Sequence, residues 1–368
     1  MIGNGGNMKC VRFAKQPNYV KDFIDLPKKL YSQETNMEDP DTMEELLLGE
    51  HPLSKYFRLD KFLVYAKGTA VGRFAITTYP GDDTAYFGFF ECVKNRKIAK
   101  FLFTQAESFC RQKGYKRMLG PVDASFWLKY RLKINRFDAA PYTGEPYNKP
   151  YYYRLFLDNG FKVKEHYTSN DYRAIDESYV NEKYEARYRE FAAKSYRIKS
   201  PKPEDFDKIL DAVYDMITEL YSDFPVYKQV SREDFREIFG NYKMIMDMSM
   251  TKIAYCQGKP VGFYISVPDY GNSVYHLAPW NLPMLFYRRS HPTRYVMLYM
   301  GVKKEHQGLG KAMVYSVMKE LMQNGRPSIG ALARDGKVTQ NYAAEDITDV
   351  YEYVLLEKGL YDEVELGH

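Results

Sequence analysis

The feature that most constrains this chain of 368 residues is that part of it occurs twice. Residues 65–72 (YAKGTAVG) return as 255–262 (YCQGKPVG), with Tyr, Gly, Val and Gly kept at the same spacing. In each copy an apolar run reaches a turn at Gly68 or Gly258 and continues through 73–76 (RFAI) or 263–266 (FYIS), the pattern of a β-hairpin. Further on, residues 84–92 (TAYFGFFEC) and 295–302 (YVMLYMGV) suit central strands covered on both faces. A helix is predicted after each. Ile98, Phe101, Leu102, Ala106, Phe109 and Cys110 fall at helical spacing in one, and Leu309, Ala312, Met313, Val317 and Leu321 in the other. Both helices are predicted to close at a glycine, Gly114 or Gly325. Strands at 115–120 and 328–334 complete the match, and helical segments at 17–31 and 203–221 precede the hairpins. The order helix, hairpin, strand, helix, strand implies a mixed α/β sheet in each copy. Two domains follow, residues 1–192 and 193–368, the second with an insertion between hairpin and strand within 270–293.

Composition agrees with a folded, two-domain protein. The chain is 45% hydrophobic and 27% charged, and its length exceeds the roughly 250–300 residues at which single cores stop growing. No run approaches the ~20 apolar residues of a membrane span, and residues 1–15 lack a secretory signal's apolar core, so a cytoplasmic location is expected. A net charge of +5 admits an anionic ligand without arguing for nucleic acid. The four cysteines form no C-x-x-C pair and have no histidine at zinc spacing, so neither a metal site nor a disulfide framework is expected. Residues 127–136 alternate apolar with basic positions and predict an edge strand presenting Lys129, Arg131 and Lys133 on one face.

The chemistry concentrates in the second copy. There the strand 295–302 runs through 303–306 (KKEH) into 307–312 (QGLGKA), which opens the next helix. A strand, a glycine turn and a helix N-terminus in sequence gather free backbone N–H groups at the positive end of a helix dipole, an arrangement that binds phosphate. Gly308 and Gly310 let the backbone approach an anion, and Lys303, Lys304 and Lys311 add charge.

Residues 307–312 fit the Q/R-x-x-G-x-G/A signature, and in this position the chain resembles the GNAT superfamily of N-acetyltransferases as two tandem copies. The hairpin segment 258–262 (GKPVG) looks like the G-x-x-V/I-G of that family's second and third strands, and 148–161 resembles its late helix, ending at Gly160 and Phe161. The first copy places 96–101 (RKIAKF) over the coenzyme loop, with Ala99 and Phe101 at its small positions, so its loop is expected to be degenerate. The second copy keeps the loop but has no helix ending in Gly-Phe after Asn341.

The resemblance implies a transferase, specifically an acyltransferase, with acetyl-CoA or another acyl-CoA as co-substrate. It puts the pyrophosphate on Gln307, Gly308, Leu309, Gly310, Lys311 and Ala312, the pantetheine along Met300, Gly301 and Val302, and Asn341 in the same coenzyme set. Direct transfer to an amine of a small molecule or peptide needs a base, an oxyanion donor and an acid for the leaving thiolate. A backbone N–H near Met300 serves the oxyanion. Tyr342, then Tyr351, are the candidate acids. Glu305, Glu345, Asp346 and a water chain remain open for the base, and His276, His291 and His306 gain no role from residue type alone. Nucleic-acid and membrane partners are not expected. Two alternatives stay open: a non-catalytic acyl-CoA sensor, and an aminoacyl-tRNA-dependent transferase, against which the intact loop counts.

Overall fold

The computed structural model describes residues 8–275 and 281–361. They group into two compact units. The first comprises the chain up to Pro141, Pro146–His166 and the residues from Glu352 on, and the second comprises Tyr142–Glu145 and Tyr167–Tyr351.

The first unit is built on an antiparallel meander of β1 (Met8–Phe13), β2 (Arg58–Ala66), β3 (Thr69–Thr78) and β4 (Thr84–Cys92). β5 (Arg117–Gly120) joins β4 in parallel. Period-two alternation sends successive side chains to opposite faces, and on β4 it is broken at Phe89, whose φ is 50°, so that Phe87 and Phe89 lie on opposite sides. On one, Phe62, Phe74 and Phe87 pack on α3 (Arg96–Gln112) and α4 (Tyr152–Asp158); on the other, Leu63, Ala75 and Phe89 meet α1 (Pro17–Leu30) and α2 (Pro40–Leu48). Local chemistry sets the helix ends: Asp39 caps α2 before Pro40, and Gly49 closes it at φ 72°. Three two-residue strands follow β5, namely β6 (Val122–Asp123), β7 (Lys129–Tyr130) and β8 (Leu132–Lys133).

The second unit repeats the plan. β10 (Arg197–Lys199), β11 (Lys252–Cys256), β12 (Lys259–Pro268) and β13 (Tyr295–Val302) run antiparallel, and β14 (Ser328–Arg334) joins β13 in parallel. α6 (Phe206–Leu220) and α7 (Arg232–Phe239) precede the hairpin, and α9 (Leu309–Asn324) follows β13. α5 (Glu182–Ala193) packs with α9: Tyr184 joins Val314, Val317, Met318 and Leu321, and Phe191 joins Leu309, Ala312 and Met313. The insertion contains α8 (Leu282–Ser290), and His276 lies outside the described residues.

The units are not the sequence halves divided at 192/193. β9 (Lys162–Tyr172) sends its residues 167–172 beside β14 in the second unit, antiparallel from Ser328↔Tyr172 to Arg334↔Tyr167. β15 (Ile347–Gly359) sends 352–359 into the first unit, where Tyr353 and Val354 pair with β8 and Leu356–Gly359 lie beside β5, antiparallel from Leu356↔Gly120 to Gly359↔Arg117. The terminal strand of each repeat thus completes the other repeat's sheet. A strand's alternation fixes which face is buried but not which edge it joins, so the sequence carries no local sign of this.

The basic alternation at 127–136 is not one edge strand. Arg131, at φ 96°, breaks the run between β7 and β8. Lys133 is fully buried, its ammonium 5.1 Å from the Tyr147 ring centre, so the three basic side chains do not share a solvent face.

Candidate functional site

In the second unit β13 and β14 pair only through Tyr295↔Ser328, Val296↔Ile329 and Met297↔Gly330. Beyond Gly330, β14 stays with β9 alone, while β13 stays with β12 as far as Gly262↔Val302. A register shift between Ile265 and Ser266 leaves Leu298 bulged, sharpening the turn of the strand where the pair parts. The edge of 298–302 that faces away from β12 is therefore not bonded to β14. On it, the Met300 carbonyl accepts from the Tyr221 hydroxyl at 3.1 Å. Gly301 is required by its surroundings: a Cβ there would lie 2.6 Å from Phe263 and 2.7 Å from Leu220.

The chain leaves β13 with the Lys303 N–H on the Val261 carbonyl, makes a 3₁₀ turn over Lys304–His306, and enters α9 through Gly308 at φ 89°. The turn is anchored by His306, whose Nδ1 lies 2.7 Å from the Tyr196 hydroxyl. No side chain caps α9, so its first N–H groups have no side-chain acceptor. Buried Leu309, Ala312 and Met313 hold the first turn in place. Arg187 of α5 stands beside the loop, its guanidinium carbon 3.8 Å from where a Gly308 Cβ would be, and it is held at 2.6 Å by Glu190. It joins Lys303, Lys304 and Lys311 as a cation of the loop. Sequence reasoning missed it because α5 precedes the second repeat.

Tyr342 meets this loop. A Cβ on Gly310 would lie 2.3 Å from the Tyr342 hydroxyl and 3.3 Å from Met300 Cε, so glycine here makes room for the tyrosine. The tyrosine is held from both sides: its carbonyl accepts from Tyr172 at 2.8 Å, and the Ala343 N–H donates to Tyr184 at 2.8 Å. Burial pushes the Tyr342 hydroxyl up to about 12, with Tyr184 contributing in the same direction. Tyr172 lies at the parting point itself, its ring 3.1 Å from where a Gly330 Cβ would be. Tyr264 donates to Met297 Sδ at 3.1 Å.

The other sequence candidates do not gather there. Tyr351 is buried with its ring 6.2 Å from Tyr142 and bonds Arg294, the residue preceding β13. That is the end of the strand away from the loop, roughly 25 Å along eight residues. Asn341 is exposed at the end of the 3₁₀ turn Val338–Asn341. Glu305 is exposed, Glu345 accepts from Asn181, and Asp346 is tied to Arg173 and Tyr179. Among the described residues no group of three His, Cys, Asp or Glu side chains is placed to hold a metal ion.

The first unit has the same parting and fills it. β4 and β5 pair through Thr84↔Arg117, Ala85↔Met118 and Tyr86↔Leu119 and then separate. A Cβ on Gly88 would lie 1.8 Å from the Val122 carbonyl oxygen, and the Phe89 N–H donates to the Asp123 carboxylate. At α3, Asn95 accepts from the Lys97 and Ile98 N–H groups at 2.9 and 3.2 Å, occupying the donors a phosphate would use. Glu91, one position before the end of β4, is buried. Burial raises its carboxyl to about 7 despite the opposing pull of Arg73. Tyr31 and Tyr152 both donate to it, at 3.1 and 2.5 Å.

No family model matches the chain. Among solved structures, the tandem GNAT protein from the clavulanic acid biosynthesis pathway superposes with a TM-score of 0.50 at 11% identity, covering 97% of this chain and 100% of that one. A GCN5-related N-acetyltransferase from Anabaena variabilis gives 0.50 at 7% identity, over 96% and 73%. The fold is therefore that of these GNAT structures. As in the tandem structure, the fold occurs twice in one polypeptide. Two curated relatives are similar in sequence. Protein YghO of Escherichia coli (strain K12) is 28% identical over 150 residues, a match spanning 39% of this chain and 38% of that protein. The bacterial ceramide synthase of Caulobacter vibrioides is 21% identical over 325 residues, 83% of this chain and 84% of that one.

Proposed function

We propose that this chain is an acyl-CoA-dependent N-acyltransferase that holds its coenzyme in the second unit and passes the acyl group directly to an amine. The observation that carries the reading is the strand edge freed after Met297 running into an uncapped helix N-terminus behind Gly308. A negatively charged pyrophosphate fits the N–H groups of 308–312, with Arg187, Lys303, Lys304 and Lys311 balancing its charge. Along the strand, the Tyr221 hydroxyl donates to the Met300 carbonyl as an amide N–H of pantetheine would. The thioester supplies an activated carbonyl, and the chain's residues orient it, exclude water and manage protons.

Tyr342 contacts Gly310 and so belongs to the pyrophosphate end, where it holds the coenzyme. Tyr264, bonded to Met297 where the strands part, is assigned the proton for the leaving thiolate. The amine's own proton leaves through water, since β13 carries no acidic residue. The likeness to a ceramide synthase across most of the chain favours a long-chain amine as acceptor, because a ceramide is the fatty amide of one.

The test is thiol release from acetyl-CoA and from long-chain acyl-CoAs across a panel of polar, peptide and long-chain amines. Amine-dependent release supports the reading, whereas tight acyl-CoA binding without release against any amine marks a sensor. Tyr264→Phe should lower kcat by about 10²-fold or more with coenzyme affinity nearly unchanged, and Tyr342→Phe should weaken affinity with a smaller loss in kcat. The reverse split returns the acid role to Tyr342.

A further inference from the structure

We propose that α8, with the 3₁₀ turn Gly240–Met244, is a docking surface for a bilayer rich in anionic lipid. The argument begins with the helix's polarity. Successive residues of a helix turn by about 100°, so Phe286, Ser290, Pro283, Tyr287 and Met284 form one continuous arc, while Leu285 points the opposite way. Leu285 is the buried residue, and the arc of Phe, Ser, Pro, Tyr and Met faces outward. A helix on a protein surface ordinarily turns charged and polar residues to water; this one turns an uncharged, largely apolar arc outward. Met284, Phe286 and Tyr287 are 55%, 43% and 59% exposed, the largest such group on neighbouring positions of one element among the described residues.

The rest of the patch is basic. Arg289 donates to the Met244 carbonyl at 3.1 Å and lies over the Phe286 ring, which joins the 3₁₀ turn to the helix, and Met244 is 39% exposed next to exposed Lys243. Arg288 borders the arc on its other side, donating to the Tyr270 carbonyl and to Ser273. Residues 271–294 contain three arginines and no Asp or Glu. A largely apolar arc with two aromatic residues, flanked by cations and free of acids, matches a membrane interface, where side chains enter the acyl boundary and arginines meet lipid phosphates. Nine residues span about 14 Å, well short of the ~30 Å hydrocarbon core, so the helix lies in the interface and does not cross it. A second copy of the chain is the less suitable occupant, because a self-complementary contact would bring the arginines of both copies to one rim.

Sedimentation of the full chain with vesicles of phosphatidylcholine alone, or with added phosphatidylglycerol, tests this independently of any enzymatic activity. Binding should be at least tenfold stronger to the anionic vesicles and should weaken as salt is raised. The double variant Met284→Ser/Phe286→Ser should lower partitioning at least tenfold. Arg289→Gln should lower it about fivefold, the loss of one basic contact. Val180→Ser, a still more exposed apolar position elsewhere, should change nothing, and circular dichroism should show all three variants folded. Equal binding to neutral and anionic vesicles, no binding to either, or full binding by the double variant overturns the proposal. So does a dimer that the double variant dissolves, which would assign the patch to a second copy.

Discussion

The two units share a hairpin and a strand pair that parts after three parallel rungs, and they differ in what occupies the parting. In the first unit the gap holds the chain's own backbone at Val122 and Asp123, and the helix beyond it is capped by Asn95. In the second, the link from strand to helix is longer, enters through a glycine at positive φ, and leaves the helix N-terminus uncapped among cations. Register aligns the pair Arg73↔Glu91 with Phe263↔Gly301, so a buried polar pair in one copy corresponds to a ring packed on glycine in the other. One scaffold thus supports a self-filled gap or an open one, which the proposed function reads as the coenzyme cleft, and a few residues at the gap decide which.

The sharpest way to break this contrast is to force the filled gap open. Gly88→Ala sets a methyl group into the Val122 carbonyl and should cost roughly 4 kcal/mol, measured by urea unfolding. A loss under about 1 kcal/mol would mean that the 122–124 segment does not seal the gap. Next comes Glu91. Its carboxyl is raised from 4.5 to about 7 in the folded chain, so the folded state holds the proton more tightly. Stability is then fully present below about pH 4.5 and declines as pH rises through 7, by on the order of 3 kcal/mol. Glu91→Gln should flatten that slope in unfolding experiments run across the window, and an unchanged slope would place the titration elsewhere.

Smaller effects separate the two loops. Gly310→Asp should reduce coenzyme affinity more than tenfold, roughly 1.4 kcal/mol or beyond, because it sets a carboxylate at the anion site and against the Tyr342 hydroxyl. Calorimetry showing unchanged affinity, or two equivalent sites per chain, would equalise the units. Asn95→Ala removes a cap worth about 1 kcal/mol of stability and should leave coenzyme affinity as it was. If it creates a second binding site, the cap alone had kept the first loop closed.

Much of this contrast is legible in the sequence because it rests on local chemistry. Thr84–Cys92, Tyr295–Val302 and Ser328–Arg334 take the predicted bounds since aromatic and β-branched runs mark covered strands, and Gly114 and Gly325 close the helices at positive φ. For the first loop the sequence points to Ala99 and Phe101, and the structure adds Asn95 and the short link. What escaped were long-range features. Arg187 reaches Gly308 from outside the repeat, Tyr342 meets Gly310 across the strand pair, and Lys133 is buried where alternation suggested exposure. Hydropathy screens for spans, so a nine-residue helix with an apolar outer arc passes unnoticed.

The crossing of β9 and β15 bears on the order in which the protein can be made. The edge of β5 at Arg117–Gly120 is synthesised early, yet its partner at Leu356–Gly359 follows only about 240 residues later in the chain. At ~5–20 residues per second that edge stays open for some tens of seconds, a bare row of backbone donors and acceptors inviting a wrong strand. A nascent chain stalled before residue 352 should therefore be protease-sensitive at Arg117–Gly120 and become protected only once Leu356–Gly359 has emerged.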